Sequence, residues 1–221
     1  MKDLASYIDH TLLKPDVRKD EIIKLCDEAK THRFFSVCVN SYWVPLCARL
    51  LTGTSVKVCT VVGFPLGANS TATKAFEAEW AVVQGAREID MVINIGALKD
   101  KDYSVVETDI ASVLKSCQGN ILKVIIETAL LNDDEKTTAC KIIESAGAHF
   151  VKTSTGFASN GAHVGDIALF KKTLAPHMKI KASGGIKTEA QAIEFIKAGA
   201  NRLGTSAGIH LIQGSDSESS Y

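Results

Sequence analysis

Short apolar runs rich in β-branched residues alternate with longer amphipathic stretches along most of the chain. Runs of this kind predict strands, and the 3.6-residue spacing between them predicts helices. Phe76, Trp80 and Val83 are spaced at i, i+4 and i+7, so we expect them to form the apolar face of one such helix. The predicted strands cover residues 7–12, 34–39, 56–62, 88–93, 121–126, 149–153, 178–182 and 200–204.

The junctions before several strands repeat one pattern. Gly85, Gly147 and Gly199 are each followed by Ala, a polar residue and a strand, and glycine there ends a helix in the left-handed conformation. Eight strands at intervals of 22–33 residues predict an α/β fold, a closed (β/α)8 TIM barrel. The alternative, an open doubly wound sheet, predicts a G-x-G-x-x-G turn after an early strand, and none is present.

The domain organisation follows from this pattern. Residues 1–213 show no linker and are interpreted as a single (β/α)8 barrel catalytic domain. Residues 214–221 are polar and serine-rich, which predicts a flexible C-terminal tail.

Composition narrows the class of protein. The 221 residues include 25 Lys+Arg and 25 Asp+Glu, so the formal net charge is zero. This balance disfavours a general nucleic-acid binder and a polybasic membrane-surface protein. No apolar run is long enough to span a bilayer, and the N-terminus shows no signal core. Six cysteines without a CxxC pair indicate reduced thiols in a cytoplasmic protein, and we expect no metal ion and no cofactor.

Charged residues inside apolar strands are the first candidates for chemistry, because burying a charge is costly unless it is paired or used. A structural ion pair is the alternative for each of them alone. In TIM barrels, however, the C-terminal ends of the strands form the active site, which favours a functional reading for several together. These residues are Asp9, Asp90, Lys123, Glu127, Lys152 and Lys181.

Two lysines lie on consecutive predicted strands. Lys152 ends strand six and Lys181 ends strand seven, and neighbouring strands are about 4.8 Å apart. Repulsion between two ammonium groups is expected to lower the pKa of one of them, and a neutral lysine forms a Schiff base with a carbonyl compound. Asp90 on strand four can pair with a lysine and transfer protons. Lys123 either keeps Asp90 ionised or reaches solvent from the start of its strand.

Glycine-containing loops follow the last three predicted strands as TSTG (153–156), SGGI (183–186) and GTSAG (204–208). Such loops present backbone N–H groups to anions, and barrels frequently bind phosphate after strands seven and eight. The residues therefore predict an enzyme that binds a small phosphorylated carbonyl compound and uses a lysine nucleophile.

The segments IDHTLLKP, VCVN, VCTVVGFPLG, EIDMVINIGALK, LKVIIET, FVKTSTGF, KASGGI and RLGTSAG resemble, in order, those of the deoxyribose-phosphate aldolase family. The resemblance covers about residues 7–210. It implies a class I (Schiff-base) aldolase that reversibly cleaves 2-deoxy-D-ribose 5-phosphate to D-glyceraldehyde 3-phosphate and acetaldehyde in deoxyribonucleotide catabolism. It also implies a cytoplasmic enzyme that is often a homodimer.

The resemblance also implies roles for individual residues. Lys152 is expected to form the Schiff base, Lys181 to perturb it, and Asp90 to donate and accept protons. The substrate-binding candidates are Thr155, Gly156, Gly184, Gly185, Gly204 and Ser206. The supporting candidates are Asp9, Thr11, Lys123, Cys38 near the aldehyde pocket, and Tyr221.

Two of the supporting candidates have a plain alternative. Cys38 also fits a small core residue. Tyr221 ends the chain, as in family members whose terminal tyrosine enters the active site, but a disordered tail is the alternative.

The chain departs from the family pattern in three places. Asn160, Gly161, Ala162 and His163 stand where a Gly-Gly-Ala-Thr segment is common. Ala207 replaces a frequent serine, and Arg87 replaces an acid often seen just before strand four, at the opposite end of the barrel.

Other functions stay open. A transaldolase-like lyase, a sugar-phosphate isomerase or epimerase, and a non-catalytic barrel are the alternatives.

Overall fold

A computed structural model describes residues 4–214, and it shows a closed barrel of eight parallel strands. The strands follow one another around the barrel in chain order, and β1 pairs with β8. This confirms the predicted (β/α)8 TIM barrel, and each predicted strand agrees with an observed one within two residues at either end. The strands are β1 (Ile8–Leu12), β2 (Ser36–Val39), β3 (Lys57–Val62), β4 (Glu88–Val92), β5 (Ile121–Ile125), β6 (Phe150–Lys152), β7 (Lys179–Ser183) and β8 (Arg202–Thr205).

Helices surround the barrel and cover the outer face of the strands, which explains why the strands are apolar on both faces. Within residues 4–214, no helix is long and apolar enough to cross a membrane. The helices are α1 (Lys19–His32), α2 (Val44–Leu50), α3 (Thr71–Val83), α4 (Ile95–Lys99), α5 (Tyr103–Ser116), α6 (Asp133–Ser145), α7 (Val164–Thr173), α8 (Glu189–Ala198) and α9 (Gly208–Gln213).

The local signals at the helix ends have the conformations that the sequence predicts. Gly85, Gly147 and Gly199 all have positive φ angles, between 81° and 122°. The Thr188 side chain accepts a hydrogen bond from the backbone N–H of Gln191 at the start of α8, and the Gln191 side chain completes the capping box. Each of the three glycines lies three residues before the first residue of β4, β6 or β8, so the ends of these helices and the starts of these strands are determined locally.

The apolar face that Phe76, Trp80 and Val83 form is not the buried face of α3. Phe76 and Val83 are 69% and 68% exposed, and Trp80 is also exposed at 37%. The helix turns its small residues inward because alanine allows the helix axis to approach the barrel closely, whereas large side chains would hold it away. The buried side chains of α3 are Lys74, Ala78, Ala81 and Val82.

Lys74 is buried in this face because it has two partners. Its ammonium group forms an ion pair with Asp109 of α5 at 2.5 Å and donates a hydrogen bond to the carbonyl oxygen of Val92 at 2.9 Å. A buried charge needs such partners. The pair joins α3 and α5 to the C-terminal end of β4, the strand that carries Asp90.

The described part of the chain ends at Gly214, which terminates α9 in the left-handed conformation. The prediction of a flexible tail, and the role suggested for Tyr221, concern residues outside 4–214.

Candidate active site

Seven ionisable side chains meet inside the barrel, and all of them are buried. Charges of this kind persist in an interior only when each has counter-charges and hydrogen bonds. Four cations face three carboxylates, so one positive charge is left over when all seven are ionised. The cations are Lys123, Lys152, Lys181 and Arg202, and the carboxylates are Asp9, Glu88 and Asp90.

Asp90 lies at the centre of this network. Its Oδ1 accepts a hydrogen bond from Lys123 Nζ at 2.7 Å, and its Oδ2 accepts hydrogen bonds from Lys152 and Lys181, each at 2.8 Å. The barrel register produces this convergence, because Asp90 is paired with Lys123 and Lys152 with Lys181 across neighbouring strands. Burial opposes ionisation of Asp90, but the three lysines outweigh it and hold its pKa well below the usual range.

Lys181 is the more strongly held of the paired lysines. It contacts both Asp9 and Asp90, and Arg202 Nη1 donates to the other oxygen of Asp9 at 2.6 Å. Burial favours the neutral amine, yet Asp9 and Asp90 outweigh burial and raise the pKa of Lys181 above its usual value. Repulsion was expected to lower the pKa of one of the two lysines, and Lys181 is not that lysine, because its pKa is raised by Asp9 and Asp90.

Lys123 does not reach solvent from the start of β5. Its side chain is fully buried, with Nζ 2.6 Å from Glu88 and 2.7 Å from Asp90. It thus has the alternative role, that of an ion-pair partner which keeps Asp90 ionised. Glu88 and Arg202 belong to the same network and were not among the predicted residues, although both are charged and lie within predicted strands.

Lys152 differs from the deeper lysines in its surroundings. Among the residues that the structure describes, it contacts one carboxylate, Asp90, within 4 Å, whereas Lys181 contacts two and Lys123 contacts three. It is the last residue of β6 and is 3% exposed, while Lys123 and Lys181 are 0% exposed. Lys152 is therefore the lysine that lies nearest the open C-terminal end of the barrel and has the fewest carboxylate contacts of the three.

Cys38 lies in a small apolar cluster with Leu13, Cys59 and Val61, as expected for a core residue. Its cross-strand neighbour Cys59 contacts the network, with Sγ 3.2 Å from Asp90 Oδ1. Sulfur and carboxylate atoms of Cys38, Cys59 and Asp90 lie within 4.8 Å of one another, close enough for a metal ion. The ammonium group of Lys123 contacts two of these three residues, however, so its positive charge would repel a metal ion bound there.

Asp9 and Thr11 have structural partners in β1 and β2. Ser36 donates a hydrogen bond to Asp9 at 2.7 Å, and Thr11 Oγ1 donates to the backbone carbonyl of Asp9 at 2.8 Å. Thr11 therefore supports the strand that carries Asp9.

A second feature, a cavity of about 180 Å³, lies beside the network at the same end of the barrel. The loops after β6, β7 and β8 form it, as predicted from their glycines. Four of the predicted substrate-binding residues line this cavity. Lys187 also lines it and was not among the predicted site residues. The lining candidates are Gly156, Gly184, Gly185 and Ser206.

Thr155 and Gly204 are not among the residues that line this cavity. A Cβ atom at Gly204 would lie 3.0 Å from Cε of Lys181, so the glycine makes room for the lysine side chain. Gly161 has a similar steric role, because a Cβ atom there would lie 2.1 Å from the carbonyl oxygen of Gly184. The loop that departs from the family pattern thus keeps glycine at the position where two loops touch.

Fold and site together define a barrel enzyme with a lysine and an acid at its mouth, beside a cavity suited to an anion. The DeoC/LacD family aldolase profile matches residues 4–214, and the chain belongs to this family.

Named relatives support the same assignment. A deoxyribose-phosphate aldolase of Bdellovibrio bacteriovorus is 57% identical over 218 residues, which cover 99% of both chains. One of Bacillus subtilis is 57% identical over 212 residues, 96% of this chain and 95% of the relative. The solved deoxyribose phosphate aldolase from Aeropyrum pernix, described as a unique tetramer, superposes with a TM-score of 0.89 at 30% identity, covering 95% of this chain and 89% of that chain.

The ion network predicts how stability depends on pH. Asp9 and Asp90 have pKa values below those of the unfolded chain, so their contribution is complete above about pH 4 and is lost as the pH falls through the folded values. Lys123 and Lys181 have raised pKa values, so their contribution is lost only above about pH 10. We expect the contribution of this network to the free energy of unfolding to be nearly constant from about pH 5 to 9 and to fall steeply below about pH 4.

Urea unfolding at each pH measures this profile. Asp20→Asn changes an exposed carboxylate of α1 and serves as the control, which should keep the same acid limb. Full stability retained at pH 3 would contradict the network as described.

Proposed function

We propose that this chain is a deoxyribose-phosphate aldolase, which reversibly cleaves 2-deoxy-D-ribose 5-phosphate to D-glyceraldehyde 3-phosphate and acetaldehyde. The observation that carries the proposal is Lys152, whose Nζ lies 2.8 Å from Asp90 Oδ2 at the open end of the barrel, beside the glycine-lined cavity. The Bdellovibrio and Bacillus relatives have this name, which also disfavours an isomerase or a transaldolase-like lyase.

The reaction begins with the neutral amine of Lys152. Within residues 4–214, Lys152 contacts one carboxylate within 4 Å, whereas Lys181 contacts two and Lys123 contacts three, so the loss of its charge removes the fewest ion pairs. The amine attacks the C1 carbonyl of the open-chain sugar, and loss of water from the carbinolamine gives an iminium ion. Lys181 stays protonated. Its positive charge serves as a counter-charge for Asp90, so Asp90 does not require Lys152 to be protonated as well.

The iminium ion then accepts the electrons of the breaking bond. The bond between C2 and C3 breaks, its electron pair forms an enamine, and the C3 hydroxyl loses its proton as glyceraldehyde 3-phosphate leaves. Protonation of the enamine at C2 and hydrolysis of the resulting imine release acetaldehyde and restore Lys152. Asp90 Oδ2 contacts Lys152 Nζ at 2.8 Å, so this carboxylate can accept and return the protons that the carbinolamine and enamine steps require, while Lys181 remains its counter-ion.

The phosphate group belongs in the neighbouring cavity. Gly184 and Gly185 have φ angles of 88° and 74°, a conformation that turns successive backbone groups toward one side of a loop. Lys187 and Ser206 line the same cavity and supply a cation and a hydroxyl group. This local arrangement captures an anion although the chain has no net charge.

Sodium borohydride with acetaldehyde tests the covalent step. Reduction of the imine should add the mass of one ethyl group to the peptide that contains Lys152, and to no other lysine peptide. Lys152→Arg should show no adduct and no cleavage, because a guanidinium is always protonated and cannot attack a carbonyl. An active wild-type enzyme that gives no adduct at Lys152 would contradict the mechanism.

The homodimer and the cytoplasmic role in deoxyribonucleotide catabolism remain predictions. All six cysteines are free and buried, which suits a reducing compartment.

The exposed face of α3, formed by Phe76, Trp80 and Val83, is a candidate dimer surface because exposed aromatic residues in a cluster are typical of interfaces.

Sedimentation velocity tests this surface. We expect a dimer for the wild-type chain and a monomer for the Phe76→Glu, Val83→Glu double variant, because charges inside an apolar interface are not solvated. Ala168→Glu, at an exposed position of α7, is the control and should remain dimeric. A monomeric wild type, or a double variant that stays dimeric, would refute the interface.

A further inference from the structure

Glu127 adopts a backbone conformation that its position does not explain. It lies two residues after the end of β5, with φ 54° and ψ 70°, in the left-handed region. The other described non-glycine residues with positive φ are Arg33, Lys101 and Gln118, and each follows the end of a helix, where this conformation is an ordinary stop signal. Left-handed backbone costs about 1–2 kcal/mol for a residue with a Cβ atom, and such strain is typically retained where a function depends on it.

The side chain of Glu127 is buried, and its carboxylate serves one neighbouring loop. It accepts hydrogen bonds from the backbone N–H of Thr155, at 3.3 Å, and from the Thr155 hydroxyl group. Thr155 Oγ1 in turn accepts a hydrogen bond from the backbone N–H of Phe157 at 3.0 Å. One carboxylate therefore fixes the loop on both sides of Gly156.

Gly156 is the part of this loop that meets the phosphate cavity. It lines the cavity with a φ of 87°, and its Cα atom is 3.5 Å from the place of a Cβ atom at Gly184. A shift of Gly156 would therefore move the wall between the loops after β6 and β7. Glu127 lies in the loop after β5, so it holds the wall from a neighbouring loop without entering the cavity, whose lining does not include it.

We infer that Glu127 is a positioning residue for the phosphate half of the substrate, because its buried carboxylate holds the Thr155–Phe157 segment in the shape that forms the cavity wall. The inference rests on the proposed function. In this arrangement Thr155 connects Glu127 to Gly156 and does not itself line the cavity.

A carboxylate suits this position better than an amide. The Thr155 hydroxyl group donates to Oε2, and its backbone N–H lies 3.4 and 3.3 Å from Oε1 and Oε2. If the amide oxygen of glutamine took the place of Oε2, its NH2 group would face the Thr155 N–H, one donor against another. Burial raises the pKa of Glu127, and the hydrogen bonds from Thr155 act against that shift. The same two bonds thus favour the ionised form that accepts them.

The test measures the kinetics of the variant Glu127→Gln, which keeps the shape of the side chain, on two substrates. For 2-deoxyribose 5-phosphate we expect KM to rise about 10-fold or more with kcat within about 3-fold, as expected for loss of a hydrogen bond to a charged group. For unphosphorylated 2-deoxyribose, kcat/KM should stay within about 3-fold of wild type, because the cavity is not used. The rate of borohydride trapping with acetaldehyde should be unchanged.

Thr155 provides matched variants and an independent arm of the test if Glu127→Gln does not fold. Thr155→Val removes the hydroxyl group at constant shape, and its KM should likewise rise for the phosphorylated substrate while kcat/KM for the unphosphorylated one stays near wild type. Thr155→Ser keeps the hydroxyl group, so its KM for the phosphorylated substrate should stay near the wild-type value. The double variant Glu127→Gln, Thr155→Val should lose little more than either single variant, since both interrupt one interaction.

Three results would overturn the inference. Equal losses on both substrates with slower trapping would place the effect of Glu127 at Lys152. Unchanged kinetics with a lower melting temperature would make Glu127 purely structural, and additive losses would separate Glu127 from Thr155. Failure of the proposed function looks different, because the wild-type chain itself would then neither cleave the sugar phosphate nor trap acetaldehyde.

Discussion

The sharing of one aspartate among three buried lysines is the interaction on which the rest of the site depends. Asp90 cannot be buried alone, and neither can the lysines, because each charge would lose its hydration without replacement. The closed barrel provides the replacement by bringing β4, β5, β6 and β7 into one register. The same geometry that makes the interior charges tolerable also makes the outermost lysine, Lys152, available for chemistry.

The depth of each lysine determines what it can do. Lys123 and Lys181 lie among several carboxylates, and their raised pKa values keep them charged. Lys152 lies at the strand end with Asp90 as its acidic partner within 4 Å in residues 4–214. Three similar side chains thus differ in their surroundings. Lys123 and Lys181 are held as counter-ions, and Lys152 is the lysine that we propose as the reactive amine, beside the cavity proposed for the phosphate group.

Much of this was predictable from sequence, because strand alternation and capping residues act over short distances. The pairing of Lys152 with Lys181 followed from their equivalent positions at the ends of consecutive strands, and the glycine loops followed from the rule for phosphate sites in barrels. The inward face of α3 was not predictable in this way. Both faces of that helix have apolar spacing, and only the closeness of the helix to the barrel selects the alanines.

Other features depend on contacts between distant segments. The pKa of Lys181 follows from Asp9, which lies 172 residues away in the chain. Glu127 was visible as a charge near a strand end, but its bond to Thr155 and its backbone angle arise from how two loops meet. Sequence patterns identify residues that can react, whereas the balance of charges among them is a property of the closed barrel.

The rate of imine formation in Lys181→Met tests the central claim most directly. If Lys181 is the permanent counter-ion of Asp90, the substitution should remove that charge. Lys152 should then remain a protonated ammonium group that neutralises Asp90. We predict that single-turnover trapping of acetaldehyde near pH 7 slows by at least about 100-fold, with an unchanged circular dichroism spectrum. Trapping at the wild-type rate in a folded Lys181→Met protein would contradict the account.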